Sequence, residues 1–180
     1  MRILREVIKN ILEEQCNQDY YWGVGGAGIV LICSEDGTVF LQKRSSQVTG
    51  GAGQWAFPGG GIHVEEEYER HWESPIPDEH VLSDNDYRFL QTAEDEFTEE
   101  VGTLPDSTRV VDSYIYEDCG FKYKTFICDV SFSGKQSLGS GGTNWESEAN
   151  GWFTVEEFQG KDLFFGFTPG LVTKVLRALS

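Results

Sequence analysis

Three carboxylates crowd the run Ala93–Gly102 (AEDEFTEEVG): Glu96, Glu99 and Glu100, at spacings i, i+3 and i+4. On a helix this spacing places them on one face. Carboxylates that close repel one another unless something positive sits among them. A hard cation that prefers oxygen ligands, Mg²⁺ or Mn²⁺, is the natural neutraliser. A solvated acidic face is the competing reading of any isolated E-x-x-E-E. The helix itself is well specified. Ser83 and Asp86 give an S-x-x-D start, and Gly102 gives the stop. Leu90, Ala93, Phe97 and Val101 form an apolar stripe, roughly 110° around an ideal helix from the carboxylates.

Upstream lies a glycine-rich turn, FPGGGIHVEEE, from Phe57 to Glu67. Turn and helix together resemble the Nudix hydrolase signature, G-x5-E-x7-R-E-U-x-E-E-x-G-U, where U is a bulky apolar residue. Gly60 and Glu66 match its first half, and Glu96, Phe97, Glu99, Glu100, Val101 and Gly102 match its second. There are three departures. Residues 67–94 separate Glu66 from Asp95, where the family has seven residues. Asp95 stands in place of the arginine, and Thr103 in place of the last apolar residue. The resemblance runs from about Val24 to the C-terminus.

The resemblance implies an α/β/α sandwich around a mixed sheet, one domain over residues 1–180 with an insertion at about 67–82. It implies a Mg²⁺- or Mn²⁺-dependent pyrophosphohydrolase acting on a small nucleotide: a nucleoside diphosphate joined to another moiety (ADP-ribose, a dinucleotide or a nucleotide sugar) or a nucleoside triphosphate. By the same resemblance Glu96, Glu99, Glu100 and the Gly59 carbonyl are metal ligands, and Gly60, Glu66 and Gly102 support the signature. Glu146 is a general base or further ligand, with Glu148 second choice; Glu99 and Glu146 are the catalytic candidates. Asp95 points the other way, toward a Nudix-fold nucleotide-binding or regulatory module whose catalysis has decayed. An aspartate cannot pair with a neighbouring glutamate as the family arginine does. Arg88 lies two helical turns earlier, roughly 10 Å away, which leaves Arg70 or a histidine of the insertion as a replacement.

The remaining composition sets limits. The formal net charge of −16 argues against nucleic-acid polymers and anionic membranes, which need a basic footprint. Cys16, Cys33, Cys119 and Cys128 show no C-x-x-C pairing and read as thiols of a reducing compartment. With no membrane-length apolar run and no signal-peptide pattern, a cytoplasmic location is expected. A homodimer is compatible with all of this. His63, His71 and His80 have no metal-ligand spacing.

The elements that must position these residues follow from periodicity. Residues 2–15 predict an amphipathic helix. GVGGAG at Gly23–Gly28 contains G-x-G-x-x-G but leads into the strand pattern GIVLIC, which excludes a dinucleotide fold. Strands at 26–33 and 38–44 flank the turn Glu35-Asp36-Gly37. Lys43 and Arg44 at the second strand's end face substrate phosphate or solvent. Trp55–Phe57 is a short strand, 109–117 and 121–132 form a hairpin through Asp118-Cys119-Gly120, and Ser133–Thr143 reads as a loop. A short strand at Trp152-Phe153 precedes a capping box at Thr154-x-x-Glu157. A last helix starts at Thr168-Pro169. Tyr21, Trp22, Trp55 and Phe167 are candidate stacking partners for a nucleobase, any of them equally readable as core.

Overall fold

The computed structural model describes residues 25–62, 84–118 and 121–180, and of residues 84–86 only the backbone. The expected N-terminal helix, the insertion, Glu66, Arg70, Tyr21, Trp22 and most of the Asp118–Gly120 turn lie outside them. In chain order the elements are β1 (Gly25–Cys33), β2 (Thr38–Arg44), β3 (Trp55–Ala56), β4 (Gly59–Gly61), α1 (Asp84–Glu100), β5 (Arg109–Asp118), β6 (Phe121–Asp129), α2 (Phe132–Leu138), β7 (Ser147–Thr154), α3 (Val155–Gln159) and α4 (Pro169–Ala178).

All nine residues of β1 are buried. A continuous apolar run such as GIVLIC has no solvent face to offer, so the strand belongs mid-sheet with layers on both sides. Its side chains alternate between two cores. Ala27, Ile29, Leu31 and Cys33 pack with Leu90, Ala93 and Phe97 of α1 and with Val101 just past its end. Val30 and Ile32 face the other way, joining Val39, Leu41, Phe158 of α3 and Leu171 and Val175 of α4. Full burial of a side chain such as Phe158 stabilises the fold by about 1.5–3 kcal/mol. The result is the α/β/α sandwich.

The sheet is mixed, in the order β3-β2-β1-β6-β5, with β4 also paired to β1 and β7 to β2. β1 runs parallel to β6 from Gly25–Lys122 to Ile32–Asp129. β1 and β2 pair antiparallel only beside their turn, at Ile32–Val39 and Cys33–Thr38. Beyond it they part. Gly26–Gly28 of β1 takes β4 as its neighbour, while Gln42 and Lys43 of β2 take β3. β7 covers the other edge of β2 from Thr38 to Arg44.

Four segments differ from expectation. The PGGG turn is itself a strand, because β1 offers Gly26–Gly28 an open edge to pair with. β6 stops at Asp129, and 133–143 holds a helix where a loop was expected. Ser131 caps α2 by accepting the Gly134 N–H at 3.1 Å. Lys135 then ties α2 to the β1–β2 turn through Asp36 and Thr38. β7 extends well beyond Trp152-Phe153 because all of β2 is available for pairing. α1 ends as expected: Gly102 has φ +128°, and its N–H donates back to the Phe97 carbonyl at 3.2 Å. The Thr154–Glu157 capping box and the Thr168 cap with Pro169 are present.

Candidate functional site

The site lies where β1 and β2 part. α1 crosses this opening, and β4 lies directly against the helix. A Cβ at Gly60 would collide with the Glu96 carboxylate, and one at Gly59 with the Tyr123 hydroxyl and the Ala27 carbonyl. Only glycine allows α1 and β4 to approach so closely.

Glu100 is buried, 6% exposed. Its carboxylate accepts a short hydrogen bond from the Gln42 amide and another from the Gly59 N–H. Burial pushes its pKa up to about 8, and the like charges of Glu96 and Glu146 add to the effect. The hydrogen bonds from Gln42 and Gly59 oppose it without prevailing. Glu96, Glu100, Glu146 and Gly59 therefore share one neighbourhood, although Glu146 comes from a loop far along the chain.

That loop is fixed by its backbone. Asn144 Oδ1 accepts the N–H groups of Glu146 and Ser147 at 2.8 and 3.1 Å. The Glu146 carbonyl accepts the Ser45 N–H at 2.7 Å. Glu148 lies elsewhere, ion-paired with Lys43 at 2.6 Å. Glu99 is exposed on α1, as is Asp95. Glu94, next in line, is buried, and its charge reinforces burial in raising the pKa of the Cys128 thiol.

Two residues complete the neighbourhood that the motif did not indicate. Gln42 is buried, and its Oε1 has no hydrogen-bond partner. The alternation of β2 held the signal, since Gln42 shares a face with Phe40 and so points a polar group toward the core. Tyr123 donates to the Ala27 carbonyl at 2.9 Å. Burial strongly raises its pKa, Glu100 and Glu96 add to the rise, and Arg44 opposes it. The Arg44 charge is thus felt at the same buried hydroxyl as those of Glu96 and Glu100, and its guanidinium lies 4.5 Å from the Phe164 ring centroid. Trp55 and Phe167 belong to the second core. Trp55 packs edge-on to Phe153 with Lys161 over its ring, and Phe167 packs between Phe57 and Phe158.

The donor chemistry here fits a hard divalent cation: all-oxygen donors, a buried carboxyl and two acidic neighbours. The spacing does not close around one. Among the described residues no three His, Cys, Asp or Glu side chains are grouped to hold a metal ion.

A family model for the NUDIX domain matches residues 24–169. The chain belongs to the Nudix family. No curated protein matches the sequence, but solved Nudix structures share its fold. A Nudix hydrolase from M. smegmatis, RenU, is 20% identical, with 88% of this chain and 85% of that one covered and a TM-score of 0.57. An Ap4A hydrolase from C. elegans is 15% identical, covering 86% and 93% with a TM-score of 0.52. The NUDIX domain of NrtR from Shewanella oneidensis, complexed with ADP ribose, is 15% identical and covers 96% and 98% with a TM-score of 0.53. At such identities the likeness is one of fold. Among the described residues of this Nudix chain, no helix is long and apolar enough to cross a membrane.

Proposed function

We propose that this Nudix domain binds the diphosphate of a nucleoside diphosphate joined to another moiety, such as ADP-ribose, at the opening between β1 and β2, and that it serves as a nucleotide-binding or regulatory module with weakened hydrolysis. The observation that carries this reading is Asp95. It stands where the signature has arginine, exposed on α1 and adjacent to Glu96, so the acidic helix gains a negative charge in place of a positive one. Support for binding comes from the backbone of Gly59 and Gly60, which approaches the site without side chains, and from Arg44, whose positive charge is felt at Tyr123 together with the charges of Glu96 and Glu100.

A second reading, a Mg²⁺- or Mn²⁺-dependent pyrophosphohydrolase, is favoured by the shared neighbourhood of Glu96, Glu100 and Glu146. Those three, with Gly59, are the residues that would hold the ion. A bound ion would screen phosphoryl oxygens and lower the pKa of its water. Gly59 and Gln42 orient Glu100, and Asn144 with Ser45 holds the Glu146 backbone in place.

One pair of measurements separates the two readings. ADP-ribose, the ligand of the NrtR domain complex, is the first probe, titrated calorimetrically with millimolar Mg²⁺ and with EDTA; product release is followed in parallel. Tight binding with turnover far below the ~1 s⁻¹ lower end of ordinary enzymes is expected. Turnover at or above that rate, on ADP-ribose or on a panel of dinucleotides, nucleotide sugars and triphosphates, would establish the hydrolase. In Asp95→Arg, turnover should rise about tenfold if the orientation recovered is about 1.4 kcal/mol; a fall would give Asp95 a role of its own.

A further inference from the structure

The most exposed aromatic side chains among the described residues stand on the two flanks of the end of β2. Trp145 is 65% exposed and Phe165 is 72% exposed. A single exposed apolar residue is unremarkable, but a tryptophan left mostly in water next to Glu146, a member of the acidic neighbourhood, is informative.

Trp145 is held by its backbone. Its carbonyl accepts the Ser45 hydroxyl at 2.7 Å, and the neighbouring Asn144 and Glu146 are fixed by the hydrogen bonds given above. The ring is therefore presented from an ordered main chain, one residue from Glu146. Arg44 sits between the two flanks. On one edge it pairs with Ser147 of β7. On the other its N–H donates to the Gln54 carbonyl at 2.9 Å. Its Nε donates to the Gly50 carbonyl at 3.2 Å, and Phe164 supports its guanidinium. Phe164 in turn carries Phe165, their ring centroids 4.1 Å apart.

An exposed flat ring one residue from Glu146, on a loop tied through Ser45 to the strand end that carries the Arg44 guanidinium, supplies the two kinds of group that the ends of a nucleotide call for. Aromatic faces stack on bases, and arginine pairs with phosphate. We infer that Trp145 is the platform on which the nucleobase stacks, while Arg44, braced by Phe164, holds the diphosphate. This rests on the nucleotide-binding reading above and adds the residue that selects a base-bearing ligand. The motif gave no sign of it, because Trp145 lies outside the signature and is brought to the site by the pairing of β7 with β2.

The test compares two probes on the full chain: ADP-ribose, which carries a base, and inorganic pyrophosphate, which does not. Calorimetric titrations are run on wild type, Trp145→Ala, Trp145→Phe and Phe165→Ala. Trp145→Ala should weaken ADP-ribose binding about tenfold or more, the scale of a lost base stack, and leave pyrophosphate binding within twofold of wild type. Trp145→Phe should recover most of the affinity, and Phe165→Ala should lose less than Trp145→Ala does. ADP-ribose binding unchanged in Trp145→Ala overturns the inference and leaves the nucleotide reading standing. Equal losses for both probes overturn it as well, since Trp145 would then shape the diphosphate site. A wild-type protein that binds neither probe at millimolar concentration overturns the nucleotide reading itself, and this inference with it.

Discussion

Glu100→Gln isolates the electrostatic cost stored in the site. The carboxyl is buried at 6% exposure, and its pKa is raised from 4.5 to about 8. The folded protein therefore keeps a proton on Glu100 that the unfolded chain releases above about pH 4.5. Between those values the native state binds more protons than the unfolded state, so stability falls as pH rises. The slope is about 1.4 kcal/mol per pH unit, which gives about 3 kcal/mol lost by the metal-free protein between pH 5 and pH 7.5 from this group. Glutamine keeps the shape and one acceptor oxygen, and carries no titrating proton. Urea denaturation in EDTA, on both proteins across that range, reads the difference directly. The variant should gain on wild type steadily with pH and be the more stable of the two at pH 7.5. Parallel pH profiles would refute the argument, because the burial and the Glu96 and Glu146 charges would then not be felt at Glu100.

Gly60→Ala drives a methyl into the Glu96 carboxylate, so ADP-ribose affinity in Mg²⁺ should fall at least tenfold while far-ultraviolet dichroism is unchanged; affinity within twofold of wild type would mean that Glu96 gives way freely. Thr154→Ala removes the acceptor for the Glu157 N–H at the start of α3 and should cost about 1 kcal/mol, read as the urea midpoint at unchanged m-value. Phe158→Ala empties a fully buried position in the second core and should cost about 3–5 kcal/mol; a loss under 1 kcal/mol would show that α3 packs less tightly than the structure has it.

The sandwich was legible because its main signals are local. GIVLIC has no polar face, α1 carries its stripe at helical spacing, and α3 and α4 announce themselves through Thr154, Glu157, Thr168 and Pro169. What the sequence hid depends on tertiary partners. α2 (FSGKQSL) carries two serines and a glycine in seven residues, and reads as a loop until Lys135 finds Asp36 and Thr38 across about a hundred residues, a pairing no local propensity foretells. β4 reads as a turn because its three glycines have no side chains to alternate. At the site, spacing pointed to Glu96, Glu99 and Glu100 and the resemblance to Gly59 and Glu146; Glu96, Glu100, Glu146 and Gly59 share a neighbourhood, while Glu99 stands exposed on α1. Lys43 and Arg44 are adjacent in sequence yet part company, one to Glu148 and the other to Phe164. Gln42 showed only as a polar residue on the core face of β2, and Tyr123 and Trp145 depend on strand pairings that bring distant segments together.

The parallel pairing of β1 with β6 also sets a clock on synthesis. β1 is apolar on both faces, yet the strand that covers its edge follows roughly a hundred positions later. At about 5–20 residues per second the ribosome needs on the order of 5–20 s to deliver it. Throughout that interval a nine-residue segment with no solvent face waits for half of its hydrogen-bonding partners. Among the described residues, the partners that early folding offers it are β2 and β4, which share its other edge. Expression at low temperature, which slows elongation along with aggregation, or co-expression of a chaperone that shields short apolar segments, acts on this window and not on the stability of the finished sheet.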